Sequence, residues 1–359
     1  MQPLADFLAR ISPPQTPALV VRRAAFTANL VEMQRACTEG GVRLRAHGKM
    51  HKSSTLGRLQ VEHGAVGLCC QTVGEAETYA AAGIADLMVT APIPPWGWPR
   101  LAALTARTRV AAVIDSLQQL ANAIASGGDF TLFVDIDPGF HRAGVAITDA
   151  IPLATAIVAA GQRFGGLQAY AGHLQHAADR AAANAEFTAR LALLVDRLRA
   201  AGLAPPQVSG GGTGTYALDI AGGVFTEIQA GSYALMDVDY TDAGAGTADG
   251  AGKWPFHPAL FLAATVVSAQ HAAFVTCDAG LKAFHSDGPP PRVIGPPGSR
   301  WRSMGDEHGA IIGATATEGA LVWLQPGHVD PTVALHDAYF VADEDGCLER
   351  WPIDARRSS

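Results

Sequence analysis

Short apolar runs alternate with longer amphipathic stretches over the first two-thirds of the chain. The apolar runs predict eight strands, near residues 42–47, 66–70, 86–90, 109–114, 130–136, 165–170, 206–209 and 226–229. The stretches between them carry apolar residues at helical spacing and predict helices near 53–63, 73–82, 96–107, 116–126, 148–162 and 179–201. Eight strands with intervening helices favour an α/β fold, a parallel (β/α)8 barrel rather than an open sheet.

The two ends of the chain follow different patterns. An apolar run at 18–21 and a helical stretch at 24–38 precede the barrel. Beyond it, strand-like runs without helical rhythm lie at 259–276, 310–325 and 332–342, and a stiff Pro/Gly-rich stretch lies at 288–298. This tail predicts a second, smaller, mainly β C-terminal domain. The glycine-rich segment Gly244–Gly252 is the predicted boundary.

Composition narrows the class of protein. With 48% hydrophobic residues, the 359-residue chain has ample material for a packed core, which excludes a disordered chain. A net charge of −7 argues against a nucleic-acid or anionic-membrane partner. No apolar stretch reaches membrane-spanning length, and the N-terminus lacks a signal-peptide pattern. Five scattered cysteines without metal-ligand spacing favour a reduced, cytoplasmic protein.

Lysine is scarce, and its placement is informative. Only four of the 26 basic residues are lysines, at positions 49, 52, 253 and 282. A preference for arginine codons explains the scarcity, but it does not explain why Lys49 and Lys52 share one short segment. Where arginine supplies charge elsewhere, a retained lysine indicates amine chemistry that a guanidinium group cannot perform.

A barrel places functional groups at the carboxyl ends of its strands, with phosphate held by the loops after strands seven and eight. The glycine-rich segment Ser209–Gly214 follows the seventh predicted strand, and Gln229–Tyr233 follows the eighth. Lys49, Gln71, Arg142 and Tyr170 follow the first, second, fifth and sixth strands. A lysine in a barrel mouth that also holds a phosphate site is the layout for a Schiff base with pyridoxal 5′-phosphate.

Motifs along nearly the whole chain, in order, resemble those of the D-threonine aldolase, 3-hydroxy-D-aspartate aldolase and D-serine dehydratase-like family. This family shares the alanine racemase fold, pyridoxal-phosphate fold type III. The motifs are His47-Gly48-Lys49-Met50-His51-Lys52, Cys70-Gln71, Gln168-Ala169-Tyr170, Gln175-His176, residues 210–214, 235–237, 278–282 and 306–309, and Gly327-His328-Val329-Asp330-Pro331-Thr332.

The resemblance implies a division into a barrel at 22–245 and a β domain made of 1–21 and 246–359. It implies Lys49 as the Schiff-base lysine, with catalytic roles for Tyr170, His176 and Arg142. The residues implied to contact the cofactor are Lys49, Gln71, Tyr170, Gly212, Thr213, Gly214, Gly231 and Ser232. A homodimer and a small D-β-hydroxy-α-amino acid substrate are also implied.

His328 and Asp330 resemble the family's divalent-metal site, and we expect them on one face of a strand in the β domain. One imidazole, one carboxylate and open positions suit Mn²⁺, Mg²⁺ or Zn²⁺. Family dehydratases usually carry cysteine at the place of Asp330, whereas aldolases carry aspartate. The resemblance therefore favours an aldolase that splits its substrate into glycine and an aldehyde.

Three alternatives remain open. A D-serine-type dehydratase would use the same metal to expel the hydroxyl group and would form a keto acid and ammonia. A non-catalytic carrier of pyridoxal phosphate would not need the metal pair, and a metal-dependent barrel hydrolase would not need the cofactor. Ala171 and His173 depart from the family pattern, so this wall of the pocket differs from that of relatives.

Overall fold

The computed structural model describes residues 1–177, 179–243 and 254–356, and these residues form two sheets. The predicted boundary Gly244–Gly252 lies outside the described residues. Within those ranges, no helix combines the length and apolar character that crossing a bilayer requires.

The first sheet is a closed parallel barrel. Helix α1 (Leu4–Leu8), strand β1 (Ala18–Arg22) and helix α2 (Arg23–Glu39) precede it. Its strands are β2 (Arg43–Leu44), β3 (Ala46–His47), β4 (Leu68–Cys70), β5 (Asp86–Val89), β6 (Arg109–Ile114), β7 (Phe130–Asp135), β8 (Arg163–Ala169), β9 (Gln207–Gly210) and β10 (Glu227–Ile228). Strands β2 and β3 are two pieces of one strand interrupted at Arg45. Because β2 pairs with β10 and β3 pairs with β4, the sheet closes, and the predicted eightfold barrel is confirmed.

Helices cover the outside of the barrel. They are α3 (Ser54–Glu62), α4 (Val73–Ala81), α5 (Gly97–Leu104), α6 (Leu117–Ala125), α7 (Ala150–Ala159), α8 (Arg180–Ala200), α9 (Tyr216–Ala221) and α10 (Val238–Asp242). The first six correspond to the predicted helices. The short helices α9 and α10 were not predicted, because five or six residues hold too little of the helical repeat to register as periodicity.

The second sheet is mainly antiparallel and includes β1. Its other strands are β11 (Leu260–His271), β12 (Phe274–Cys277), β13 (Arg292–Val293), β14 (Arg300–Ser303), β15 (Gly309–Ile312), β16 (Leu321–Gln325), β17 (Ala338–Ala342) and β18 (Leu348–Pro352). Strand β1 runs antiparallel to β11 and parallel to β17, so the chain starts in this sheet and returns to it after the barrel. The predicted mainly β second part is confirmed.

One local expectation was wrong. His328 and Asp330 do not share a strand face, because helix α11 (Val329–Val333) begins between them. Pro331 is the third residue of this helix, where a backbone N–H is not needed, and a carboxylate in the first turn is favourable at the helix N-terminus. The buried Asp237 side chain accepts the Val329 N–H at 2.9 Å. These features outweigh the strand pattern.

A buried polar cluster fills the barrel where its first strand is interrupted. Arg45 donates from Nε to Glu227 Oε1 at 3.0 Å and from Nη1 to Asp86 Oδ1 at 2.6 Å. The Ser209 hydroxyl donates to the same Glu227 oxygen at 2.6 Å. Because a buried charge must be paired, this cluster holds the starts of β5 and β10 together. The cavity described next lies at the opposite end of the barrel.

Candidate active site

A cavity opens at the carboxyl ends of the barrel strands and, together with the solvent space at its mouth, encloses about 550 Å³. It is lined by His47, Lys49, Met50, Gln71, Thr90, Arg142, Gln168, Tyr170, Gly212, Thr213, Gln229, Gly231, Ser232, Tyr240 and Asp330. The barrel supplies every lining residue except the last, which comes from α11. The cavity therefore lies between the barrel and the second sheet.

Lys49 reaches into this cavity from a short 3₁₀ turn, Gly48–Met50, directly after β3. Its ammonium group forms an ion pair with Asp330, and the two side chains are 37% and 15% exposed. Burial alone would raise the pKa of Asp330, but the neighbouring Lys49 charge outweighs burial and lowers it. Burial likewise works against the Lys49 charge, yet the carboxylate of Asp330 raises the pKa of the amine. The pair is charged as it stands.

The turn that carries Lys49 is held from two sides. On the barrel side, the Tyr79 hydroxyl donates to the Gly48 carbonyl at 2.8 Å. A Cβ atom on residue 48 would lie 2.7 Å from the Tyr79 ring, so only glycine permits this approach. From the second sheet, the Tyr339 hydroxyl donates to the His51 carbonyl at 2.7 Å. Lys49 thus projects from a fixed backbone.

Two loops with backbone donors line the wall next to Lys49. Thr213 and Ser232 are buried there, and their backbone N–H groups have no acceptor among the described residues. Gln175 fastens the first loop, because its Oε1 accepts the Gly214 N–H at 2.8 Å and its Nε2 donates to Thr215 Oγ1 at 3.0 Å. Gly214, named from the sequence as a cofactor contact, does not line the cavity.

Arg142 and Tyr170 form the outer rim. The exposed guanidinium group of Arg142 lies 5.6 Å from the centre of the Tyr170 ring and 5.1 Å from that of Phe140. Among the described residues, no carboxylate pairs with Arg142. His173, one of the departures from the family pattern, stacks on Phe140 at 5.9 Å, so the altered wall lies beside this arginine. A free guanidinium over two aromatic rings suits an incoming carboxylate.

His176 and His328 lie beside the cavity rather than in its lining. His176 packs on the Tyr240 ring at 4.5 Å, and its Nε2 is 3.5 Å from Asp239 Oδ2. Partial burial lowers the pKa of His176 more than Asp239 raises it, so the imidazole is neutral near pH 7 and can accept a proton.

His328 faces two carboxylates. Its Nδ1 is 3.3 Å from Asp287 Oδ2, and its Nε2 is 3.9 Å from Asp330 Oδ2. No set of three histidine, cysteine, aspartate or glutamate side chains within 1–177, 179–243 and 254–356 is grouped to hold a metal ion. The protein therefore offers two converging ligands here, and the Asp287 contact is of the kind that orients a ligating imidazole.

Six lining residues were not named as site residues from the sequence: His47, Met50, Thr90, Gln168, Gln229 and Tyr240. Gln168 is the most informative of them, because its Nε2 donates to Asp135 Oδ1 at 3.0 Å and to the Thr90 carbonyl at 3.3 Å. These two acceptors fix the amide orientation and leave the buried Oε1 without a donor among the described residues. Thr90, Gln168 and Gln229 are polar residues at the carboxyl ends of barrel strands, and this position could have identified them from the sequence.

His47 forms the floor of the cavity in its neutral form. Its Nδ1 accepts the Lys49 backbone N–H at 3.4 Å, so the ring proton is on Nε2, which is 3.2 Å from Thr90 Oγ1. Burial and the nearby Lys49 charge lower the pKa of His47 well below its ordinary value. The floor is therefore uncharged, and both ring nitrogens are already engaged.

Comparisons with known proteins agree with this arrangement. Residues 21–238 match the family model "alanine racemase, N-terminal domain", and residues 259–342 match "putative serine dehydratase domain". The chain is 40% identical to a D-threonine aldolase of Arthrobacter sp, over 98% of this chain and 94% of that protein. It is 39% identical to a 3-hydroxy-D-aspartate aldolase of Paracoccus denitrificans, over 95% and 92%. The solved D-threonine aldolase of Filomicrobium marinum superimposes with a TM-score of 0.91 at 34% identity, covering 95% of this chain and 96% of that one.

A closed barrel with a lysine in its mouth and an attached β sheet defines the alanine racemase fold class. Within that class, this chain belongs to the family of D-threonine aldolases and 3-hydroxy-D-aspartate aldolases.

The buried carboxyl group beneath Gln168 should make stability depend on pH. Burial raises the pKa of Asp135 from 3.8 to about 7, against the hydrogen bond from Gln168, which lowers it. Between these values the carboxyl group of residue 135 loses its proton in the unfolded chain and keeps it in the folded protein, so its contribution to the free energy of unfolding falls as pH rises to about 7. Each unit of pKa difference corresponds to about 1.4 kcal/mol.

We therefore expect Asp135→Asn, which keeps the oxygen that accepts from Gln168, to gain stability relative to the wild type as pH rises from about 4 to about 7. Urea unfolding of both proteins across this range measures the difference. A difference that is constant with pH would show that Asp135 is ionised throughout.

Proposed function

We propose that this protein is a carbon–carbon lyase that cleaves D-β-hydroxy-α-amino acids to glycine and an aldehyde. It would use pyridoxal 5′-phosphate on Lys49 and a divalent cation on His328 and Asp330. The observation that carries the proposal is the contact of Lys49 with Asp330, since it brings the amine of the barrel and the carboxylate of α11 together in one cavity.

The cavity fits the cofactor in three respects. Lys49 supplies the amine, and the free N–H groups of Thr213 and Ser232 suit a phosphate. The buried Oε1 of Gln168 needs a hydrogen-bond donor that none of the described residues provides. Gln71, Tyr170, Gly212 and Gly231 also line this cavity. Pyridoxal phosphate, when bound, supplies an electron sink for the bonds around the substrate Cα.

His328 and Asp330 fit a divalent cation with open positions. His328 Nε2 lies 3.9 Å from Asp330 Oδ2, and Asp287 contacts the other side of the imidazole. With two ligands from the described part of the chain, the cation keeps positions for water and substrate. A cation there supplies a Lewis acid that lowers the pKa of a hydroxyl group. Mn²⁺, Mg²⁺ and Zn²⁺ all accept this ligand pair.

The remaining roles belong to the rim. The guanidinium of Arg142, which has no carboxylate partner in the part of the chain that the structure describes, binds the substrate α-carboxylate. The Tyr170 ring beneath it forms one wall of the site. His176 is neutral and is close enough to His328 for the two charges to interact, so it accepts the β-hydroxyl proton when the Cα–Cβ bond breaks. The substrate amine, α-carboxylate and β-hydroxyl would each have a separate binding group in this site, so we propose that only the D configuration at Cα presents all three at once.

The alternative reaction is dehydration of the same substrates. The match of residues 259–342 to a putative serine dehydratase domain is consistent with this alternative. Asp330 favours cleavage, since the family's dehydratases usually carry cysteine there. We also propose a cytoplasmic location, which is supported by the five free cysteines, four of them buried, that a reducing compartment maintains.

Product analysis with D-threonine tests the reaction. We expect acetaldehyde and glycine in equal amounts, no turnover of L-threonine, and no ammonia or 2-oxobutanoate. Enzymatic assays for the aldehyde and for ammonia, run on the same sample, separate the two reactions. Ammonia with a keto acid as the main products would identify a dehydratase, and equal turnover of both enantiomers would contradict the assigned geometry.

Metal dependence can be tested through Asp330. We expect chelation, or Asp330→Ala, to lower kcat/KM at least about 100-fold while the protein keeps its fold and cofactor absorbance. Asp330→Cys should favour Zn²⁺ over Mn²⁺ relative to the wild type, because thiolate is the softer ligand. Asp242→Asn, at an exposed aspartate paired with Arg292, is the matched control and should behave as wild type. Full turnover in verified metal-free protein would contradict the proposal.

A further inference from the structure

Lys52, the second lysine of the 45–52 segment, has no part in the function proposed above. It adopts φ +48°, a left-handed backbone conformation that is unusual for a residue with a side chain. Its carbonyl accepts the Ala355 N–H at 2.9 Å, and its own N–H donates to the Gly48 carbonyl at 2.9 Å. The strained residue is therefore fixed at both backbone groups, directly after the turn that carries Lys49.

The Lys52 side chain is directed to a buried carboxylate. Its Nζ lies 2.5 Å from Glu75 Oε1, and the two side chains are 18% and 1% exposed. The other carboxylate oxygen of Glu75 accepts the backbone N–H of Gln71 at 2.6 Å. One carboxylate thus joins the loop after β3 to the loop after β4, and both loops line the cavity.

The start of α4 explains why Glu75 is at this place. Thr72 is the N-cap residue, and its hydroxyl accepts the Glu75 N–H at 3.2 Å. Glu75 is at the third helical position, from which a side chain can reach back over the helix N-terminus. Here it reaches one residue further back than usual, to Gln71, and so it orders a residue of the site.

Each of the two lysines beside the cavity therefore has its own carboxylate partner. Lys49 pairs with Asp330, and Lys52 pairs with Glu75. Glu75 is close enough to act on the Lys49 charge. Without Lys52, Glu75 would be a buried carboxylate without its ammonium partner, and its charge would act on Lys49 instead.

We propose that Lys52 is a positioning residue: by neutralising Glu75 it keeps Gln71 in place and leaves Lys49 to Asp330 and to the cofactor. This inference rests on the proposed function, because it assigns Lys49 as the cofactor lysine. In this interpretation, Lys52 has an electrostatic role and takes no part in amine chemistry.

The test compares cofactor binding in charge-matched variants. Lys52→Met removes the ammonium and keeps most of the stem, and the double variant Lys52→Met/Glu75→Gln removes both charges but keeps an oxygen that can accept from Gln71. The control is Lys282→Met, at an exposed lysine paired with Glu307. Three readouts are taken: the Kd of the cofactor-free protein for pyridoxal phosphate from fluorescence quenching, the peptide labelled after borohydride reduction, and the midpoint temperature of unfolding.

We expect Lys52→Met to raise the Kd for pyridoxal phosphate at least about tenfold, and the double variant to return it to within about threefold of the wild type. The label should be on Lys49 in the wild type and in both variants. Lys282→Met should leave the Kd unchanged. Recovery on removing the second charge is the result that a merely structural role of Lys52 would not produce.

Three results would overturn the inference: an unchanged Kd in Lys52→Met, a double variant as weak as the single one, or a label on Lys52. If Lys52→Met does not fold, the Kd for pyridoxal phosphate is compared in the double variant and in Glu75→Gln. Weak binding of pyridoxal phosphate by both of these variants would overturn the inference. A wild type that forms an adduct at Lys49 but cleaves no D-β-hydroxy-α-amino acid would refute the proposed reaction while the positioning result stands.

Discussion

The ion pair between Lys49 and Asp330 is the constraint on which the rest of the site depends. Lys49 belongs to the barrel and Asp330 to the helix that follows β16, so the contact exists only if the two sheets are held in one relation. Contacts on either side provide this: Asp237 of the barrel end accepts the Val329 N–H, and Tyr339 of the second sheet donates to the His51 carbonyl. Replacing both members of a partly buried ion pair by apolar residues changes stability little, because desolvation offsets the attraction, whereas removing one member leaves the other charge uncompensated. We infer that it is kept for the chemistry of the cavity.

The sequence was sufficient for the barrel and for the location of the site within it. Parallel strands buried on both faces are continuous apolar runs, and the helices between them have a clear apolar face, so both signals survive without an alignment. The carboxyl ends of the strands then meet at one mouth. This rule alone brings Lys49, Gln71, Arg142 and Tyr170 to the cavity that the structure shows.

Three local features of the site could not be predicted from the sequence, because each depends on contacts between residues that are distant in the chain. We expected a strand at His328, but the structure has helix α11 there, because Asp330 and Pro331 suit a first helical turn. In addition, Asp237, which precedes Asp330 by 93 residues, accepts the N–H of the first residue of α11. Gly214 was expected in the lining but donates to Gln175 instead, a contact between two loops that no local pattern encodes. The donorless oxygen of Gln168 depends on amide orientation, which only its partners reveal.

A double-mutant cycle between Lys49 and Asp330 tests the central claim most directly. The free energies of unfolding of the wild type, Lys49→Met, Asp330→Asn and the double variant are measured by urea titration of cofactor-free protein. If the contact joins the two sheets as described, the coupling free energy between the two substitutions is at least about 1 kcal/mol. A coupling within about 0.3 kcal/mol of zero, with substitutions that simply add, would contradict the account.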